Sequence, residues 1–178
     1  MEIRKLKNLP GNLILHSGLS YTTDKIFVVS AIEAGSTFEF SLREKRQHYR
    51  KIPNNSENDF DRLHSLISKG HSFGVFYNDE LIAWAVCDFR SWNNSLFIED
   101  LFVDETFRGQ NIGRLLIKAV NREARELQCR MVEVETQNTN YHAIKFFHKA
   151  GFSITGINTK LYNNSTETAI FMSFDLLI

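Results

Sequence analysis

An α+β (mixed α/β) fold with a mostly antiparallel sheet flanked by helices is predicted by three features of this 178-residue chain. Short apolar runs broken by polar turns fill residues 72–103. Two amphipathic helical stripes follow. Further apolar runs stand between and after those stripes, so strands and helices alternate in the second half. The length favours one domain, 1–178. Hydrophobic residues at 43% and charged residues at 24% suit a domain that buries its own core, and fifteen phenylalanines predict an aromatic interior.

Residues 30–50 send mixed signals. Phe38, Phe40 and Leu42 alternate as in a strand, whereas 42–50 reads as helix. Asn54-Asn55-Ser56 is a polar loop, and Phe60, Leu63, Leu66 and Ile67 recur at helical spacing up to Gly70. Three strands follow at 72–77, 81–89 and 96–103, joined by polar turns at 78–80 and 91–95, which is the pattern of an antiparallel meander. Ile112, Leu115, Leu116, Ala119, Val120, Ala124 and Leu127 share one helical face, with Arg114, Lys118, Arg122 and Arg125 on the other. A strand at 131–136, a short helix at 140–150 closed by Gly151, and strands at 152–159 and 169–175 complete the chain.

Twenty-one basic and twenty-one acidic residues give a formal net charge of zero, so no general nucleic-acid-binding surface is expected. Two cysteines, Cys87 and Cys129, and six histidines without ligand spacing argue against a disulfide scaffold and a metal site. The first residues lack a signal-peptide core, and no apolar run approaches membrane-spanning length. A cytoplasmic protein that engages no membrane is the expectation.

The chemistry concentrates where a strand enters a tight loop and then a helix, at residues 98–116. Arg108, Gly109, Gln110, Asn111, Ile112, Gly113 and Arg114 form that loop and helix start. Backbone N–H groups and the positive helix end converge there on one point, which suits a pyrophosphate. The arginines add charge-assisted donors, and the glycines remove side chains from the approach. No Gly-Lys-Ser/Thr follows, so this is not a P-loop. The preceding strand belongs to an antiparallel run, which disfavours a Rossmann unit.

Arg108-Gly109-Gln110-Asn111-Ile112-Gly113 resembles the acetyl-CoA pyrophosphate loop of the GNAT superfamily of N-acetyltransferases. Downstream, residues 140–152, from Asn140 to Gly151-Phe152, resemble that family's Asn-x-x-Ala-x-x-x-Tyr-x-x-x-Gly-Phe segment. The resemblance covers about 72–175, with a cofactor core at about 96–152. Ile98-Glu99-Asp100-Leu101, Glu135-Thr136-Gln137, Leu161-Tyr162 and the upstream Trp92-Asn93 are similar to streptothricin acetyltransferases, which acetylate the β-lysine amine of an antibiotic and confer resistance. The stretch 99–103 also resembles diamine acetyltransferases, which act on polyamines.

These resemblances imply acetyl-CoA as cosubstrate, a small cationic amine as acceptor, and a homodimer. Backbone groups of Leu101, Phe102 and Val103 would pair with the pantetheine arm, the loop 108–114 would hold the pyrophosphate, and Asn140 would hydrogen-bond the pantetheine. Phe146 and Phe147 would line the thioester channel, or serve as core on the helix stripe. An alkyl ammonium of pKa ~10 is about one part in a thousand neutral at pH 7, so a base has a purpose. Glu99 is the candidate base, through water, and Asp100 the candidate anchor for the acceptor cation. Neighbours in a regular strand face opposite sides, so both reach one site only if the strand bulges. Trp92 and Tyr162 complete the acceptor side.

Two positions depart from the family pattern. Asn111 stands where the loop usually has its first glycine, and asparagine tolerates left-handed backbone. Phe147 stands where a tyrosine often protonates the departing thiolate; a thiol of pKa ~8.5 can leave unassisted, with Tyr141 and Tyr162 as the other phenols to weigh. A polyamine acetyltransferase is the alternative enzyme. A GNAT domain that binds acyl-CoA as a sensor is the alternative of another class.

Overall fold

The computed structural model describes residues 1–10, 20–52 and 57–176. The polar loop expected at Asn54-Asn55-Ser56 lies outside them. The chain divides into two compact units, one formed by Met1–Ser20, Pro53–Val134 and Phe174–Ile178, the other by Tyr21–Ile52 and Glu135–Ser173.

In the first unit, β1 (Glu2–Lys5) pairs antiparallel with β4 (Phe73–Tyr77), β4 with β5 (Glu80–Arg90), and β5 with β6 (Ser95–Val103). The first four residues of β7 (Met131–Gln137) join β6 in parallel. Val75 and the whole run Ala83–Cys87 are fully buried, so both faces of β5 are covered. Helix α1 (Glu57–Ser68) supplies Leu63, Leu66 and Ile67 to a core containing Trp84 and Val86. Helix α2 (Ile112–Glu126) packs over β4, β5 and β6 through Ile112, Leu116, Ile117, Val120 and Ala124; Leu115, expected on this face, is exposed, and Ile117 is buried in addition. The turns between the central strands use left-handed backbone: Asn78, Asp79 and Asn94 all adopt positive φ, which short polar side chains tolerate.

In the second unit, β2 (Tyr21–Ala34) and β3 (Thr37–Lys51) form a two-stranded antiparallel ribbon. Helix α3 (Tyr141–Lys149) rests on its inner end, where Tyr141 stacks on Phe27 at 5.5 Å and Tyr141 and Lys145 both bond Glu44. Asn138 clamps the ribbon, exchanging bonds with both backbone groups of Phe27 (2.9 and 2.7 Å). Strands β8 (Ser153–Asn158) and β9 (Ala169–Asp175) pair antiparallel.

The expected helix over 42–50 is corrected: these residues are strand, paired one to one with β2 from Val29 down to Tyr21 around a single irregularity at Thr23/Lys25. Leu-Arg-Glu-Lys-Arg-Gln has helical propensity, but a long β-branched partner offers a complete hydrogen-bond ladder, and that tertiary pairing overrides a weak local preference.

Candidate active site

The register of β6 against β5 breaks at one place. Val86 faces Asp100 and Cys87 faces Ile98, so Glu99 is an extra residue without a partner on β5. Such a bulge kinks the strand and re-aims successive side chains. At this break the regular alternation of the neighbours Glu99 and Asp100 is interrupted. On its other side, the parallel ladder with β7 ends at Ile98–Val134. Beyond it Leu101, Phe102 and Val103 keep partners on β5 and have no ladder partner on β7 among the described residues.

The two carboxylates have different surroundings. Glu99, 18% exposed, accepts a hydrogen bond from Arg62 of α1 and lies 4.0 Å from the Arg90 guanidinium. Asp100 accepts a 2.6 Å hydrogen bond from the Trp84 indole N–H, and Trp84 is fully buried and stacked on Phe102 at 4.3 Å. Burial pushes the Asp100 carboxyl above the usual range, the Glu99 charge adds to this, and the bond from Trp84 opposes it. Arg62, Arg90 and the indole of Trp84 are contacts that sequence reasoning missed. Trp84 reads as core within an apolar strand, and the arginines lie far from Glu99 in the chain.

Past β6, a 3₁₀ turn at Glu105–Phe107 is capped by Asp104, whose carboxylate accepts from the N–H and hydroxyl of Thr106 (2.9 and 2.5 Å) and is held below its usual range by them. Arg108 is tied to the loop through Val103 O (3.1 Å) and Glu105 (3.4 Å), and Gln110 reaches Thr106 O at 3.4 Å. Gly109 has φ +79° with open space where a Cβ would stand. Asn111 adopts the left-handed φ of 63° that a glycine would favour, and its side chain makes no cap bond to α2. The first-turn N–H groups of Ile112, Gly113 and Arg114 therefore point out uncapped, while the Ile112 side chain is buried and fixes the helix start. Arg114 is exposed beside them. An uncapped helix end flanked by two arginines is an anion cradle, and these residues fit a pyrophosphate.

Trp92 stands in the β5–β6 turn with 81% of its surface exposed. In the second unit, Asn140 caps α3 by accepting from Ala143 N–H at 3.2 Å, which occupies its carbonyl oxygen and leaves the amide N–H₂ available. Phe147 is buried edge-on between Phe146 (5.2 Å) and Phe152 (5.3 Å), whereas Phe146 is half-buried. Tyr162 donates to Glu135 and accepts from Gln137 (2.8 Å); burial and then the Glu135 carboxylate push its phenol well above the ordinary value. Tyr141 donates to Glu44 at 3.1 Å. Both phenols thus spend their protons on glutamates.

The sequence signature of the acetyltransferase (GNAT) family matches residues 36–152. The chain belongs to this family. Over 174 residues, covering 92% of this GNAT acetyltransferase and 90% of the relative, it is 29% identical to a streptothricin acetyltransferase of Streptomyces lavendulae. The crystal structure of a nourseothricin acetyltransferase matches with a TM-score of 0.77 at 28% identity, over 97% of this chain and 98% of that one. The structure of a Bacillus anthracis protein in complex with acetyl coenzyme A has the same fold with a TM-score of 0.76 at 24% identity, over 99% and 97% of the chains. The GNAT acetyltransferase keeps the bulge, the open β6 edge and the uncapped α2 start on three consecutive segments of its first unit. Among the described residues no helix is long and apolar enough to cross a membrane.

Proposed function

We propose that this GNAT acetyltransferase transfers the acetyl group of acetyl-CoA to the primary amine of a streptothricin-type antibiotic, the β-lysine amine, and thereby confers resistance. The observation that carries the substrate class is the similarity to a streptothricin acetyltransferase that runs through nine-tenths of both chains, beyond the shared cofactor-binding core. The loop 108–114 receives the pyrophosphate of acetyl-CoA, and backbone groups of Leu101, Phe102 and Val103 receive the pantetheine arm. Phe146 lines the channel on this reading, with Phe147 supporting it from the core.

The acceptor arrives as an ammonium. Removing its proton at pH 7 costs roughly 4 kcal/mol for a pKa near ~10. Glu99 takes that proton through water, Arg62 and Arg90 orienting its carboxylate. Asp100, positioned by Trp84, holds the cationic acceptor, with Trp92 as a further acceptor contact. The freed nitrogen lone pair forms the bond to the thioester carbonyl carbon, and the C–S bond breaks with its electron pair leaving on sulfur. No side chain is assigned as the acid for that thiolate, whose ordinary pKa near ~8.5 permits unassisted departure.

The test is a turnover screen with acetyl-CoA, following released thiol, against streptothricin, spermidine, an aminoglycoside and a peptide amine. Streptothricin is expected to give the highest kcat/KM. Preference for spermidine or a peptide would refute the substrate class. Binding of acetyl-CoA without turnover of any amine would leave the sensor reading in its place.

A further inference from the structure

We propose that Arg62 is a specificity-determining residue whose guanidinium holds the place at Glu99 that the ammonium of the acceptor takes, so that only a cationic acceptor opens the base. This role rests on Glu99 being the base and on the acceptor arriving as a cation, as assigned above. Glu99 has two guanidinium neighbours, and they are held differently. Arg90 is fixed from several sides. Its guanidinium carbon lies 3.5 Å from the centre of the Phe97 ring, its Nε is 3.9 Å from Asp88, and a terminal nitrogen is 4.0 Å from Glu99. Asp88 is in turn anchored by Lys69 at 2.8 Å. Arg62 projects from α1 beside Leu63, which belongs to the core under that helix. Among the described residues its hydrogen bond and its ion pair both go to Glu99. Its side chain is 50% exposed, against 30% for Arg90. A long side chain at the rim, held at one point, is the cation that can swing away, since a half-exposed pair of this kind is worth little.

The charge balance explains why a cation is required. The carboxylates of Glu99 and Asp100 are matched by the guanidiniums of Arg62 and Arg90, and the Arg62 charge acts on Asp100 as well as on Glu99. Both carboxylates are half-buried. An ammonium added to this set brings an unmatched positive charge into surroundings that screen it poorly. An ammonium that replaces Arg62 leaves the balance unchanged. The exchange also frees the Glu99 oxygen to which Arg62 donates. That oxygen can then take the ammonium proton through water, while Arg90 keeps the carboxylate oriented. A neutral nucleophile such as an arylamine or an alcohol has no charge to offer in exchange, and it leaves Glu99 closed by Arg62.

Arg62→Ala removes the competing cation, so steady-state kinetics with streptothricin should show KM lowered by about three- to tenfold. The variant's site also carries an uncompensated negative charge, so its KM should rise more steeply with added salt than that of the wild type, in which one cation is exchanged for another. Arg62→Lys returns a cation and should bring KM back toward the wild-type value. An unchanged or raised KM in Arg62→Ala, the result expected if Arg62 only braces Glu99, overturns the proposal. A second measurement follows the side-chain Nε–H resonance of Arg62 in the wild type, assigned by its loss in Arg62→Ala. Titration with streptothricin, and separately with spermidine, should move it toward its position in Glu99→Ala, where the ion pair is absent. Movement and turnover with spermidine alone would support the exchange and refute the streptothricin reading. A resonance that neither amine moves overturns the exchange itself.

Discussion

Replacing Asp100 by asparagine should make the protein more stable and a worse enzyme. Asp100 is half-buried, and its carboxylate accepts a 2.6 Å hydrogen bond from the Trp84 N–H, a bond that the asparagine carbonyl can keep. The variant therefore changes charge with little change of shape. Burial raises the Asp100 pKa in the folded state, so as pH rises the unfolded chain gives up this proton first. The ionised aspartate then costs folding stability at neutral pH. Below the ordinary value near ~3.9 both states hold the proton and the cost disappears. Asp100→Asn should thus melt at a higher temperature than wild type at pH 7, with the difference closing below about pH 4. Activity should move the other way. Removing one partner of an enclosed charge pair costs about 2–5 kcal/mol, or roughly 30- to 3000-fold, felt chiefly as a raised KM for the cationic acceptor. Steady-state kinetics with streptothricin and thermal melts across pH read both effects. An unchanged KM would remove Asp100 from the acceptor site, and a lower melting temperature at pH 7 would refute the desolvation argument.

Glu99→Gln should lower turnover near neutral pH by about 10²–10⁴-fold, more than it weakens amine binding, and equal kcat in the two proteins would dismiss Glu99 as the base. Gly109→Val places a branched side chain at φ +79°, a strain of about 1–2 kcal/mol or more in the loop. Calorimetry should show acetyl-CoA affinity down about tenfold in a folded variant, and unchanged affinity would take the loop out of the pyrophosphate site. Phe147→Tyr puts a hydroxyl between Phe146 and Phe152. It should lower stability by about 1–3 kcal/mol in denaturant titration without raising turnover, since the departing thiolate needs no acid; a large gain in kcat would show that it does.

The sequence alone determined the parts whose information is local. The meander, the α2 stripe from Ile112 to Ala124 and the short helix after Asn140 are periodic patterns, and burial of one face is enough to select them. The Gly109–Asn111 loop was legible as well, since positive φ at Gly109 and Asn111 is written in the residue types that tolerate it. Three things were decided by tertiary structure. Residues 42–50 became strand because β2 supplied a ladder stronger than their helical preference. The bulge at Glu99 is a mismatch between two strands, a property of the pair β5–β6 that neither strand carries by itself. The unlike surroundings of the two carboxylates, arginines 37 and 9 positions from Glu99 and an indole 16 positions from Asp100, come from residues distant in the chain. Charge and desolvation act through space, so their effect on a titratable group has no signature in its sequence neighbours.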